Sequence, residues 1–256
     1  MAIYHMTASF GSRSGAKSAG AKSKYIQRES KYKRSADELI YKESGNMPQW
    51  AKEDPTQYWQ AADLYERANG KLYWQLEYAL PVELSREQQI ELARAFAQDV
   101  TQQPQDVNGN LPYTLAIHDK NGANPHCHLM INERANDGIE RDKITWFKRA
   151  NKKSPEKGGA AKTTSLQPRQ WLQNTRILWA EHANRALEMA GCKARIDHRT
   201  LAEQGLERIA GVHLGPHVVE MEKRGVRTDR GAAALEIAGC CERIERLNII
   251  AERIEN

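Results

Sequence analysis

Apolar and polar positions along the chain follow two periods, one of two residues and one of three to four, and segments of the two kinds alternate. YWQLEYAL (73–80) alternates strictly, with Trp74, Leu76, Tyr78 and Leu80 on one side and Tyr73, Gln75, Glu77 and Ala79 on the other. That pattern predicts a strand with one apolar face. Pro81 stops it, and Ser85 with Gln88 has the form of a capping box opening a helix whose Ile90, Ala93, Phe96, Ala97 and Val100 make a buried stripe. YTLAIH (113–118), the turn DKNGANP and HCHLMINE (126–133) predict a β-hairpin with a seven-residue loop. By alternation Tyr113, Leu115 and Ile117 share one face with Cys127, Leu129 and Ile131 of the partner strand.

The flanks read more coarsely. Residues 2–8 (AIYHMTA) form a short strand and GSRSG a loop, and AKSAGAKSKYIQRES then makes a basic helix that carries Tyr25. Asp54 and Pro55 open another helix, with Tyr58, Ala61, Ala62, Tyr65 and Ala68 at helical spacing and Gly70 ending it. A long helix runs from about Pro168 to Ala190 and is closed by Gly191. Residues 192–230 look irregular, and from 231 apolar positions recur every three or four residues to the end without a cap. The expected fold is α+β, an antiparallel sheet flanked by helices with a C-terminal helical extension. One domain is expected over 1–195, an irregular continuation over 196–230, and over 231–256 the start of a helical linker to further domains.

A hydrophobic fraction of 40% and a charged fraction of 28% are those of a globular chain. No apolar run approaches the roughly 20 residues of a membrane span, and the amino end has no apolar segment behind a basic start. Together with four cysteines that form no CxxC pair, this points to the cytoplasm. The net charge of +5 is unevenly distributed: residues 1–34 and 141–169 each carry +7. Two basic stretches on an acidic remainder point to an anionic partner docked at a defined surface, or to two solvated loops.

His118, His126 and His128 are the strongest chemical signal. One histidine at a strand end and an HxH pair on the return strand bring three imidazoles to the face opposite the apolar one. Three neutral imidazoles without a fourth protein ligand leave coordination positions open, as a catalytic metal needs. Imidazole suits several divalent metals, and phosphate chemistry favours Mn²⁺ or Mg²⁺. Cys127 is sent to the other face. Glu77, on the polar side of its strand, is placed to orient a ligand histidine or to accept a proton, unless it simply faces solvent.

MAIYHMTASFGSRSGAKSAGAKSKYIQRE, PYTLAIHDKNGANPHCHLMINER, DGIERDKITWFKR, the EKGGAAK loop and ARIDHRTLAEQG with VHLGP resemble the relaxase domain of MobA/MobL mobilisation proteins, nearest those of IncQ-type plasmids. The resemblance covers about residues 1–230. It implies an HUH-type fold in which His118, His126 and His128 bind a divalent metal and Tyr25 is the nucleophile. The implied reaction nicks one strand at the plasmid's origin of transfer and leaves the protein joined to the 5′ end. Implied partners are single-stranded DNA, accessory mobilisation proteins and a type IV secretion coupling protein, with passage of the protein into the recipient alongside the DNA.

The residues agree with that chemistry. A phenol ionises near pH 10, so it needs help from charge placed at the phosphate. Tyr32 is the rival nucleophile, but it stands among Lys31, Lys33 and Arg34, where contact with DNA is the better reading. Lys17, Lys22, Lys24 and Arg28 surround Tyr25, while Lys148, Arg149, Lys152, Lys153 and Lys157 lie on a Gly/Ser/Pro-bearing loop expected to clamp a strand. Trp146 and Phe147 are placed either to stack on bases or in the core. Three other readings compete. A rolling-circle replication initiator usually has its histidines before its tyrosine, a DNA-binding module with a structural metal would form no covalent product, and a hydrolytic nuclease would release a free 5′-phosphate.

Overall fold

The two segments with the cleanest alternation become the centre of the sheet. In the computed structural model, which describes residues 4–102, 104–122, 124–166, 169–206, 209, 211–212 and 214–255, the strands are β1 (Met6–Ser12), β2 (Leu39–Gly45), β3 (Lys71–Ala79), β4 (Tyr113–His118) and β5 (His126–Ile131). The helices are α1 (Ala19–Ile26), α2 (Pro55–Tyr65), α3 (Arg86–Thr101), α4 (Lys143–Trp146), α5 (Arg169–Met189), α6 (Gly215–Lys223) and α7 (Asp229–Glu255). The strands order β1-β3-β5-β4-β2, with every neighbouring pair antiparallel. The hairpin register pairs His118 with His126 and Ala116 with His128.

Both faces of the sheet are covered. Leu76, Tyr78, Leu115, Ile117, Cys127 and Leu129 pack under α3 and α5, where Phe96, Trp179 and Leu187 close one core. The prediction that β3 has a single apolar face is therefore incomplete: Leu72 and Tyr73 join Ala116 and Met130 in a second core under α1 and α2, with Ile26, Tyr58 and Trp59. Trp146 and Phe147, fully buried, belong to this second core, which settles their role as packing.

Local signals set the element ends. Ser85 and Gln88 make the reciprocal capping box of α3. Asp54 caps α2, with Pro55 in its first turn, although the helix stops at Tyr65 before Ala68. α1 is shorter than predicted, running from the Ser18 cap to Ile26. Gly191, at φ +69°, ends α5 in the left-handed conformation, and the Cys192 amide returns to the Leu187 carbonyl. β1 starts later than the predicted strand and takes in Gly11 and Ser12 of the predicted loop. Ala2, Ile3 and Pro168 lie outside the described residues.

Met1–His198 forms one compact unit that holds the sheet and both cores. Arg199–Asn256 forms another, containing α6 and α7. α6 falls inside the stretch read as irregular, and α7 starts two residues before the predicted extension. Glu222 accepts from the backbone and hydroxyl of Thr228 at the start of α7.

Candidate active site

β4 and β5 deliver three imidazoles to the face under α1, as the alternation predicts. Ring centroids are 4.8 Å apart for His118 and His128, 5.1 Å for His126 and His128, and 5.5 Å for His118 and His126. One nitrogen from each lies within 4.8 Å of the others.

The second nitrogen of each ring shows which atom is left for a ligand. His126 donates from Nδ1 to the Asn124 carbonyl at 2.8 Å, which leaves Nε2. Glu77 stands across the β3–β5 register from His128, its carboxylate 3.2 Å from Nδ1, which again leaves Nε2. His118 is reversed: its Nε2 donates to the Ile26 carbonyl at 2.5 Å, and its buried Nδ1 has no partner among the described residues. A buried acceptor without a donor is costly. A divalent cation bound by His118 Nδ1 and by Nε2 of the other two would remove that cost, so the residues present fit a metal.

Protonation states agree. Burial pushes His118 down to about 3, against the pull of the Ile26 carbonyl. Burial also lowers His128, outweighing the attraction of Glu77. Both are neutral at pH 7, the form that binds metal. Glu77 is held well below the usual carboxylate range, first by its hydrogen bond with His128, with burial opposing.

Tyr25 sits on the last turn of α1, 36% exposed, its ring centroid 6.3 Å from that of His128. α1 thus reaches the triad twice, through the Tyr25 ring and through the Ile26 carbonyl. Lys22 and Arg28 each place a cation 4.9 Å from the Tyr25 ring centroid. Burial lowers the Lys22 ammonium from its usual value, partly offset by Glu77. Tyr32 meets Tyr25 edge-on at 5.2 Å, and Lys17 is exposed before the Ser18 cap.

The predicted lysine loop presents its cations from a tied backbone. Lys148, Arg149, Lys152, Lys153 and Lys157 are exposed, but the backbone between them is tethered. Arg134 donates to the carbonyls of Trp146, Phe147, Lys148 and Ala160, and Arg141 to those of Pro155 and Gly158. Arg134 follows the end of β5 opposite to His126, so the loop is anchored away from the triad. Sequence reasoning missed Gln75, whose amide lies 3.1 Å from His128 Nδ1, although alternation puts it on the same face as Glu77. The carbonyls of Ile26 and Asn124 carry no sequence signal.

The profile of the MobA/MobL family matches residues 9–224. Mobilization protein A of Escherichia coli is 60% identical over 256 residues, which is all of this chain and 35% of that protein. The match thus includes the segment beyond residue 230 that the sequence reading placed outside the resemblance. The 43 kDa relaxation protein of Salmonella typhimurium is 42% identical over 218 residues, 81% of this chain and 56% of that protein. The chain therefore spans about a third of one relative and just over half of the other. A solved structure from work on the molecular basis of vancomycin resistance transfer in Staphylococcus aureus aligns with a TM-score of 0.58 over 78% of this chain and 100% of its own, at 23% identity. That likeness bears on the fold alone, and it agrees with an antiparallel sheet flanked by helices. Fold, matched span and the two relatives together place this chain in the MobA/MobL family.

Proposed function

We propose that this chain is the DNA-nicking domain of a plasmid mobilisation protein and cuts one strand by tyrosine transesterification. One observation carries the reading: α1 presents Tyr25 beside three converging histidines, one of which has a buried nitrogen without a partner among the described residues. The names of the relatives, mobilisation, relaxation and, at 26% identity in Rhizobium radiobacter, conjugal transfer, point to DNA at a transfer origin as the substrate.

The Tyr25 phenolic oxygen attacks the scissile phosphorus. A bond from that oxygen to phosphorus forms, the bond from phosphorus to the 3′ oxygen breaks, the departing 3′ oxygen takes up a proton, and the phenolic proton passes to water. One phosphodiester replaces another, so the free 3′ hydroxyl can reverse the step and reseal the strand. His118, His126 and His128 would hold a divalent cation, Mn²⁺ or Mg²⁺, which would supply Lewis-acid stabilisation of charge on the phosphate. Lys22 neutralises the same phosphate from beside the ring, Lys17 and Lys24 draw the flanking backbone toward α1, and Arg28, paired with Glu38, braces the turn behind Tyr25. Glu77 acts through His128, fixing its tautomer and ring orientation. The reaction takes place in the cytoplasm of the plasmid-bearing cell, where accessory mobilisation proteins and a secretion coupling protein are the expected partners.

The test is denaturing electrophoresis after incubation with Mn²⁺ and a labelled single strand from the plasmid's transfer origin. A protein–DNA adduct is expected from the wild type and from Tyr32→Phe, and none from Tyr25→Phe, with DNA binding retained. An adduct from Tyr25→Phe would show that another residue is the nucleophile. Cleavage to a free 5′-phosphate without adduct would assign hydrolysis instead.

A further inference from the structure

The turn that leaves α1 is strained. Arg28 and Ser30 adopt φ of +53° and +55°, the left-handed region that side-chain-bearing residues disfavour. The turn is held on several sides. Arg28 pairs with Glu38 at 2.9 Å and bonds back to the Tyr25 carbonyl, the Glu29 amide returns to the Lys24 carbonyl, and Glu29 pairs with Lys42 at 2.6 Å. The turn folds the 3-10 segment Ser30–Glu38 back against α1, so that Lys31 and Tyr32 face Lys24 across a cleft of about 300 Å³ whose far wall is Gln60 and Asp63 of α2.

The cleft carries two ammonium groups against one carboxylate, and that carboxylate is turned to α1. Both oxygens of Asp63 are spent on α1, accepting from the Ser18 hydroxyl and from the amides of Ala19 and Gly20 at 2.7–3.0 Å. Lys24 and Lys31 have no acidic partner among the described residues. Two ammonium groups, that of Lys31 lying 5.2 Å from the centroid of the Tyr32 ring, together with this ring and the exposed Gln60 therefore line a space at the small end of ligand pockets, too small for a duplex. Tyr32 joins the cleft to the nucleophile, since its ring also touches Tyr25.

We infer that this cleft binds one nucleotide of the cleaved strand, next to the phosphate that Tyr25 attacks. Its base lies against Tyr32 and is read by the Gln60 amide, which offers both a donor and an acceptor to a base edge, and its phosphate lies between Lys24 and Lys31. The inference rests on the reading of Tyr25 as nucleophile and adds a position at which base identity is sensed.

The experiment measures binding of the full chain, in chelator, to a labelled single strand spanning the nick, with one nucleotide at a time made abasic. Loss of a stacked base weakens binding by about 5- to 150-fold. A penalty in that range is expected at one position beside the nick. It should be retained by Tyr32→Phe and removed by Tyr32→Ala at that position alone. Gln60→Ala, at an exposed site that does not endanger folding, should erase the preference among the four bases there. Penalty profiles of Tyr32→Ala and Gln60→Ala that match the wild type would overturn the cleft, as would the absence of any single-position penalty. The adduct assay keeps the two ideas apart. An adduct with unchanged profiles overturns only the cleft, whereas a localised, Tyr32-dependent penalty without any adduct overturns the nucleophile and leaves a nucleotide site.

Discussion

Each imidazole of the triad is fixed by a different kind of neighbour: a carboxylate for His128, the Asn124 carbonyl two residues back for His126, and the end of a helix for His118. The consequences of losing them differ accordingly. His118→Ala removes one of the three proposed ligands and also its bond to the Ile26 carbonyl at the end of α1, so it should lower Mn²⁺ affinity most and disturb the position of Tyr25. Glu77→Gln keeps an oxygen able to accept from His128 Nδ1 and loses only the charge, so a loss of about 10- to 100-fold in affinity or activity is expected. Calorimetric titration with Mn²⁺ orders the two, and a Glu77→Gln variant weaker than His118→Ala would mean that Glu77 binds the metal itself. The triad was legible because a period of two residues fixes faces without any tertiary knowledge. The reversed ring of His118 was not, because its partner is a backbone carbonyl 92 residues away.

At the scale of elements, the hairpin and β3 were readable from alternation, and the caps of α2 and α3 from single residues. β2 escaped the sequence reading. Its LIYKESG runs from an apolar start into charge, as an edge strand does when one side carries no neighbour, and only its pairing with β4 defines it. Arg134 escaped as well, since an arginine just past a strand reads as surface charge. It is fully buried, clamps both Glu66 oxygens at 2.8 and 3.1 Å, and gathers four carbonyls of the lysine loop. Burial alone would raise the Glu66 pKa, but Arg134 and Lys162 hold it below its usual value. Gly159 lets the loop close, because a Cβ there would run into the Lys148 carbonyl. Replacing Arg134 with Met leaves the buried Glu66 carboxylate with Lys162 and the Arg67 amide as its remaining close partners, and takes the Arg134 donors away from the carbonyls of Phe147, Lys148 and Ala160. Breaking one side of a buried pair costs about 3–5 kcal/mol. Urea unfolding should show a loss of that size, and a loss under about 1 kcal/mol would mean that the clamp is not what holds the loop.

For the molecule as a whole, the two basic stretches that look alike in composition do different things. The first surrounds Tyr25 on α1 and its turn, while the second is carried on a tethered loop at the far end of β5. The sequence showed two concentrations of charge, but their separation depends on which end of β5 each one packs against, and only the fold decides that. A short strand held at the triad should therefore be gripped by the first stretch alone, and a longer one should reach the second. For single strands the log–log dependence of affinity on salt has a slope of about −0.7 per neutralised phosphate. Replacing Lys152, Lys153 and Lys157 together with alanine should flatten that slope by up to about two units for a long origin strand and leave it unchanged for a short one confined to the nick. Cleavage at saturating DNA should fall little for either, since the loop is anchored away from the triad. Affinity for both lengths, measured over a salt series for wild type and triple variant, checks the prediction. An unchanged slope on the long strand would make the loop a solvated surface, and an equal change on the short strand would mean that the loop reaches the triad after all.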